Sequence, residues 1–181
     1  MVYMFLAEGF EEIEALAPLD LLRRAGIDVT TVGIGGDSIT GAHGITVKAD
    51  IKDKKVKFEK IDMVILPGGM PGTKNLDASE VVHKALDRAN EQNAYIAAIC
   101  AAPMILGKRG DLKGKRAVCY PGFEEYLDGA ILQARETKAA ADGKIITARG
   151  MGVAVEFGLA LVAALCGDGK AAELRSAVIA D

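Results

Sequence analysis

The stretch Tyr95-Ile96-Ala97-Ala98-Ile99-Cys100-Ala101-Ala102-Pro103-Met104-Ile105-Leu106 changes character at its centre. Its first five residues form a short apolar run that reads as a buried strand. The residues after Cys100 read as the opening of a helix. A cysteine at so tight a strand-to-helix turn sits at the carboxyl edge of a sheet. Its sulfur is lifted out of the core and meets the partial positive charge of helix N-terminal amides. Both effects are expected to favour thiolate, the reactive form. The layout is the cysteine counterpart of a nucleophile elbow, although the G-x-S-x-G pattern is absent.

Outward from this turn, strand-like and helix-like runs alternate. Val2 to Ala7 reads as a strand, and Glu11 to Ala25 as a helix with Gly26 just beyond its end. Pro18 lies inside that helix and is expected to bend it or mark a late start. Val29 to Ile34 and Met63 to Leu66 read as strands, with Thr46 to Ala49 as an edge or hairpin strand. Ser79 is read as the N-cap of a helix reaching about Asn90. Arg116 to Cys119 reads as a strand and Gly122 to Leu127 as a short helix. Asp142-Gly143 signals a hairpin leading into Ile145 to Ala148. Val153 to Cys166 is the most apolar helix, and Lys170 to Val178 closes the chain. This alternation implies an α/β fold: a mainly parallel sheet with helices on both faces. Ligands of such folds collect at the carboxyl ends of strands. Three features converge there: Glu8 to Glu14, Pro67-Gly68-Gly69 and Cys100.

The 181 residues suit one domain over 1–181, and 50% hydrophobic with 26% charged residues supports a sizeable core. A formal net charge of −3 gives no electrostatic case for nucleic acid or an anionic membrane. The lysines from Lys52 to Lys60 interleave with Asp53 and Glu59 and read as a solvated loop. Three cysteines without paired spacing argue for a reducing compartment and against a zinc site. No signal-peptide pattern or membrane-length apolar run occurs. The expectation is a soluble, cytoplasmic protein.

Within the converging features, Glu14 has apolar neighbours in Ile13, Leu16, Ala17 and Leu21. Pointing inward, its carboxyl is partly desolvated, so its pKa rises and it holds a proton near neutrality. Such an acid can hydrogen-bond a thiolate and later donate. Glycines after Leu66 let backbone approach a ligand, so the amides of Gly69 and Ala101 can form an oxyanion hole beside the sulfur. His83 is read as solvated, mid-helix. His43 lies in a loop where a surface role outweighs one in the cleft. Cys119 lies at another strand end, and Cys166 reads as core. Arg149-Gly150-Met151-Gly152 reads as a backbone turn that caps the following helix.

Taken together, these segments resemble the ThiJ/PfpI (DJ-one) superfamily. The matching pieces are Glu11 to Ala15 (EEIEA), Leu21 to Ile27 (LLRRAGI), Asp62 to Gly69 (DMVILPGG), Ala97 to Pro103 (AAICAAP) and Asp142 to Gly152 (DGKIITARGMG), then EFGLAL. The resemblance implies a flavodoxin-like α/β sandwich and a homodimer. It carries the family's nucleophile onto Cys100, its acid onto Glu14 and its oxyanion amides onto Gly69 and Ala101. Members are described as glutathione-independent glyoxalases, deglycases, chaperones and oxidation sensors. The protease and amidotransferase relatives have histidine directly after the cysteine, and here Ala101 stands in that place. Tyr120 occupies a position where the branch often has histidine. His43 aligns near a relative's site arginine, and Arg24 with an arginine near the dimer contact, so all three are candidate site-lining residues. The implied activity converts a 2-oxoaldehyde such as methylglyoxal, or its protein adducts, using Cys100 and no metal or organic cofactor. The rival is a non-enzymatic oxidation sensor or chaperone built on the same thiol.

Overall fold

A computed structural model describes residues 1–180. In chain order the strands are β1 (Val2–Leu6), β2 (Val29–Gly33), β3 (Ser38–Thr40), β4 (Thr46–Lys48), β5 (Ile51–Lys52), β6 (Met63–Leu66), β7 (Tyr95–Ile99), β8 (Arg116–Ala117), β9 (Ile131–Leu132), β10 (Ala139–Asp142) and β11 (Ile145–Ala148). The helices are α1 (Glu12–Arg24), α2 (Gly72–Asp77), α3 (Glu80–Glu91), α4 (Pro103–Arg109), α5 (Ala154–Cys166) and α6 (Asp168–Ala177). The main sheet has the order β10-β11-β7-β6-β1-β2-β5. Every neighbouring pair is parallel except β10 with β11, the hairpin that Asp142-Gly143 predicts.

The continuous apolar strands follow from burial on both faces. In β1, Tyr3 and Phe5 enter one core with Leu66, Ile96 and the α3 residues Val82 and Leu86. Met4 and Leu6 enter the other, with Ile65, Ile99 and the α1 and α5 residues Leu22, Phe157 and Leu161. Each fully buried side chain of this size contributes roughly 1.5–3 kcal/mol. Neither face can therefore be stripped of its helices. The strand ends that must carry the site are held from both sides.

Several elements differ from the sequence reading. The helix α1 runs through Pro18 without interruption. Pro18 is buried against α5, where a side chain at Gly158 would press on Pro18 and Leu21. The Thr46 strand, by contrast, is a hairpin strand as expected, pairing antiparallel with β3 outside the main sheet. The expected Arg116–Cys119 strand ends at Ala117. Beyond it Val118 N–H donates to Thr147 Oγ1 (3.0 Å) and Tyr120 N–H to the Cys100 carbonyl (2.8 Å), which draws the chain off a ladder and onto the sheet end. Gly122–Leu127 contains a single 3₁₀ turn at Glu124–Tyr126. Ser79 occupies the N-cap of α3 without a side-chain capping bond. Cys166, read as core, is exposed at the end of α5. His83 is partly buried, held by the Asp77 carbonyl (2.6 Å) and Arg109 (3.0 Å). Among the described residues, no helix is long and apolar enough to cross a membrane.

Candidate active site

The parallel strands β1, β6, β7 and β11 end on one edge, and the loops that follow them build the site. Cys100 follows β7 directly, with its N–H bonded to the Ala148 carbonyl at the end of β11 (2.9 Å). Its φ is +66°, a left-handed conformation that L-residues with a side chain rarely adopt. The surrounding bonds enforce this conformation, and it turns the sulfur out of the sheet, as strained nucleophile turns do.

Glu14, in the first turn and a half of α1, is 1% exposed. Glu11 caps α1 by accepting the Glu14 N–H at 2.7 Å, which fixes where the helix starts and where Glu14 points. The Glu14 carboxyl accepts the Gly68 N–H at 3.0 Å and stands beside the Cys100 thiol, close enough for each to shift the other's proton affinity. Gly68 is the floor between them, with no space for a side chain. Gly69, at φ +92°, then turns its amide towards the sulfur from one side while the Ala101 amide approaches from the turn that precedes α4. The two amides predicted from the sequence therefore converge on Cys100.

Burial is the largest influence on both acidic groups. Desolvation raises the Glu14 carboxyl to about 7, and the negative charge of Glu11 adds to this. The Cys100 thiol is also pushed up, first by burial and then by ionised Glu14, while the Ala101 and Gly69 amides pull it down. This corrects the expectation that the turn by itself favours thiolate. The buried Glu14 and the half-buried Cys100 compete for one proton. The thiolate gains its partner only when Glu14 holds that proton, because the neutral carboxyl then donates to sulfur and its charge is gone.

A cleft of ≈ 470 Å³ opens over the sulfur, lined by Glu14, Cys100, His43, Tyr120, Arg149 and Met151, among others. His43 lines the mouth of this cleft with its ring largely exposed, so the surface position and the site-lining position are the same place. Tyr120 is half exposed at its rim. Arg24 does not join them: it lies in the last turn of α1, paired with Asp20 at 2.5 Å, beside a separate ≈ 540 Å³ cavity with Val155 and Val178. It is corrected from the site-lining set. Cys119 is buried in a neighbouring cavity shared with Arg149, and desolvation raises its thiol to about 11.

Sequence reasoning missed Arg149 as more than a turn residue. Its guanidinium bonds the carbonyls of Thr137 (2.9 Å), Ala134 (2.6 Å), Gln133 (3.2 Å) and Cys119 (3.4 Å), tying the 119 and 133–137 loops to the end of β11. Its place directly after a strand of the carboxyl edge was the available signal. Among the described residues, Glu11, Glu12 and His43 form the one grouping with metal-type ligand atoms within 4.8 Å of one another. Those atoms are already engaged with each other and with backbone amides.

Residues 1–164 match the DJ-1/PfpI family. Protein DJ-1 homolog B of Arabidopsis thaliana is 37% identical over 176 residues, 96% of this chain but 40% of that protein's length. A deglycase of Pyrococcus horikoshii is 30% identical over 150 residues, 82% of this chain and 90% of its own. Oxidized Toxoplasma gondii DJ-1 superposes with a TM-score of 0.93 at 33% identity, covering 98% of this chain and 97% of that one. The sheet order, the cysteine turn and these matches over nearly all of its length agree: the chain belongs to the DJ-1/PfpI family.

Proposed function

We infer that the protein is a cysteine-dependent, cofactor-free enzyme acting on reactive 2-oxoaldehydes or their protein adducts, with methylglyoxal to lactate as its simplest reaction. The observation that carries this reading is the Cys100–Glu14 pair: a cysteine at φ +66° whose sulfur faces two amides, beside an acid raised by burial to about 7. The similarity to a deglycase supports the same chemistry.

In this scheme Cys100 thiolate adds to the aldehyde carbon. The oxyanion is held by the Gly69 and Ala101 amides and then protonated by Glu14, giving a hemithioacetal. Glu14, now ionised, removes the proton from C1 and returns it to C2. The product is a thioester, which water hydrolyses to a 2-hydroxy acid and free thiolate. The whole chain acts as one domain, as a homodimer, in the cytoplasm.

Lactate formation from methylglyoxal without glutathione tests the reading. Wild type should turn over, and Cys100→Ser should fall to the buffer background. Undiminished activity in that variant, or none in reduced wild type, overturns it.

An oxidation sensor is the second reading, favoured by the same acid placed to donate to a sulfinate and by the oxidized relative. Peroxide titration followed by mass spectrometry separates the two. A sensor oxidises at Cys100 and shows negligible turnover when reduced.

A further inference from the structure

The proposed isomerisation moves two protons, and Glu14 accounts for one of them. While a proton passes from C1 to C2, another must leave the C1 hydroxyl and one must arrive at the C2 oxygen. A second group that both donates and accepts near neutrality is required at the cleft. Arg149 is permanently charged and its N–H groups are spent on carbonyls.

His43 meets the requirement. Its Nδ1 lies 2.8 Å from Glu12 Oε2, while its own N–H donates to Glu12 Oε1 at 2.7 Å and Ile45 N–H reaches the same oxygen at 3.4 Å. Glu12 is 2% exposed, and a side chain at Gly41 would overlap its carboxylate, so the β3–β4 hairpin is shaped around this contact. Burial works against the Glu12 charge, but the bonds from His43 and Ile45 outweigh it and hold the carboxyl below its ordinary range. An ionised carboxylate only accepts, so Nδ1 carries a hydrogen and Nε2 is the ring nitrogen that this bond leaves free. The bond to Glu12 and its charge, with Glu11 Oε1 at 4.0 Å, raise the imidazole above its ordinary value. Arg149 and the Glu14–Cys100 pair are the other charged or titratable groups of the same cleft besides Tyr120.

We propose that His43, oriented by Glu12, is the second proton carrier of this site, donating from Nε2 to the C2 oxygen and taking a proton back from the C1 hydroxyl. This rests on the 2-oxoaldehyde reading. The balance closes: as Glu14 takes the C1 proton, imidazolium protonates the ketone oxygen to give the enediol. Glu14 then protonates C2 while neutral His43 takes the C1 hydroxyl proton, leaving thioester, imidazolium and ionised Glu14. Glu14 recovers its proton from the hydrolytic water as the thiolate departs. Glu12 is the positioning residue.

The test measures kcat for lactate formation across pH in wild type, His43→Ala, Glu12→Gln and Cys100→Ser, with iodoacetamide alkylation of Cys100 as a readout independent of turnover. His43→Ala should lose roughly 10²-fold in kcat, the lower range for general acid–base groups, with normal alkylation. Because His43 is 69% exposed, added imidazole should restore part of that rate. Glu12→Gln removes the charge that raises His43 and should move the corresponding limb of the kcat profile to lower pH. Wild-type kcat and profile in His43→Ala, with Cys100→Ser inactive, overturns this proposal alone. A slow His43→Ala that imidazole does not rescue, with an unmoved limb in Glu12→Gln, overturns it too. Absence of lactate from wild type overturns it together with the reading beneath it.

Discussion

Glu14→Gln should lose activity and gain stability at once. Turnover should fall at least about 10²-fold, because glutamine preserves the bond from Gly68 N–H but carries no proton to C2. Stability moves the other way. The folded carboxyl sits at about 7 against an ordinary 4.5, raised chiefly by burial. A raised group contributes stability that is fully present below the unfolded pKa and is lost as pH rises through the folded one. For Glu14 the window therefore runs from 4.5 to about 7. Above it, wild type holds a buried charge at a cost of about 3 kcal/mol, and glutamine removes that cost. Urea unfolding at about pH 8 should show the variant more stable, and at about pH 4.5 the gap should close. An equal gap at both pH values would show that desolvation does not set the carboxyl's behaviour.

Gly68→Ala should destroy the site by geometry alone. A Cβ there would lie 2.5 Å from Glu14 Oε2, 2.6 Å from Cys100 Cβ and 2.9 Å from the Ile99 carbonyl. None of these can give way. Glu14 is enclosed, Cys100 is locked at φ +66°, and the Ile99 carbonyl belongs to a central strand. Overpacking in rigid surroundings costs about 1–3 kcal/mol or more, and a displacement near 1 Å at reacting groups costs about 10²-fold in rate. Gly169→Ala, in α6 with open space around it, is the control and should be neutral or mildly stabilising. Loss of activity in Gly68→Ala with unchanged unfolding would indicate that the floor relaxes. Full activity would show that the close approach is not required.

The strands were legible where burial on both faces leaves an unbroken apolar run, as in Val2–Leu6, Met63–Leu66 and Tyr95–Ile99. The helix α2 escaped notice because six residues of mixed polarity carry no period to read. The strand expected at Arg116–Cys119 failed because hydrogen bonds from Val118 and Tyr120 to the ends of β11 and β7 compete with a ladder. Local pattern cannot report a long-range partner. Cys166 and His83 were misjudged for the same reason: where a helix ends against its neighbours decides what it exposes.

At the site, the chemistry-bearing residues were visible one at a time. Cys100 was marked by its strand-to-helix turn, Glu14 by apolar neighbours, and Gly69 by its place after a buried strand. Arg24 was misassigned because likeness to a family position says nothing about which end of α1 faces the cleft. Arg149 and the Glu12–His43 pair were not seen as working parts, since each acts through atoms far away in the chain.

The order of apolar runs and turns was enough to specify a parallel sheet with its ligand edge at the ends of β1, β6 and β7. Periodicity and burial are properties of neighbouring residues, and a sequence displays them directly. Only the tertiary structure decided that Glu14 and Cys100 compete for one proton, and that a hairpin loop brings His43 onto a buried Glu12. Proton affinity depends on desolvation and on charges a few ångströms away. Those distances exist only once segments remote in sequence have packed together.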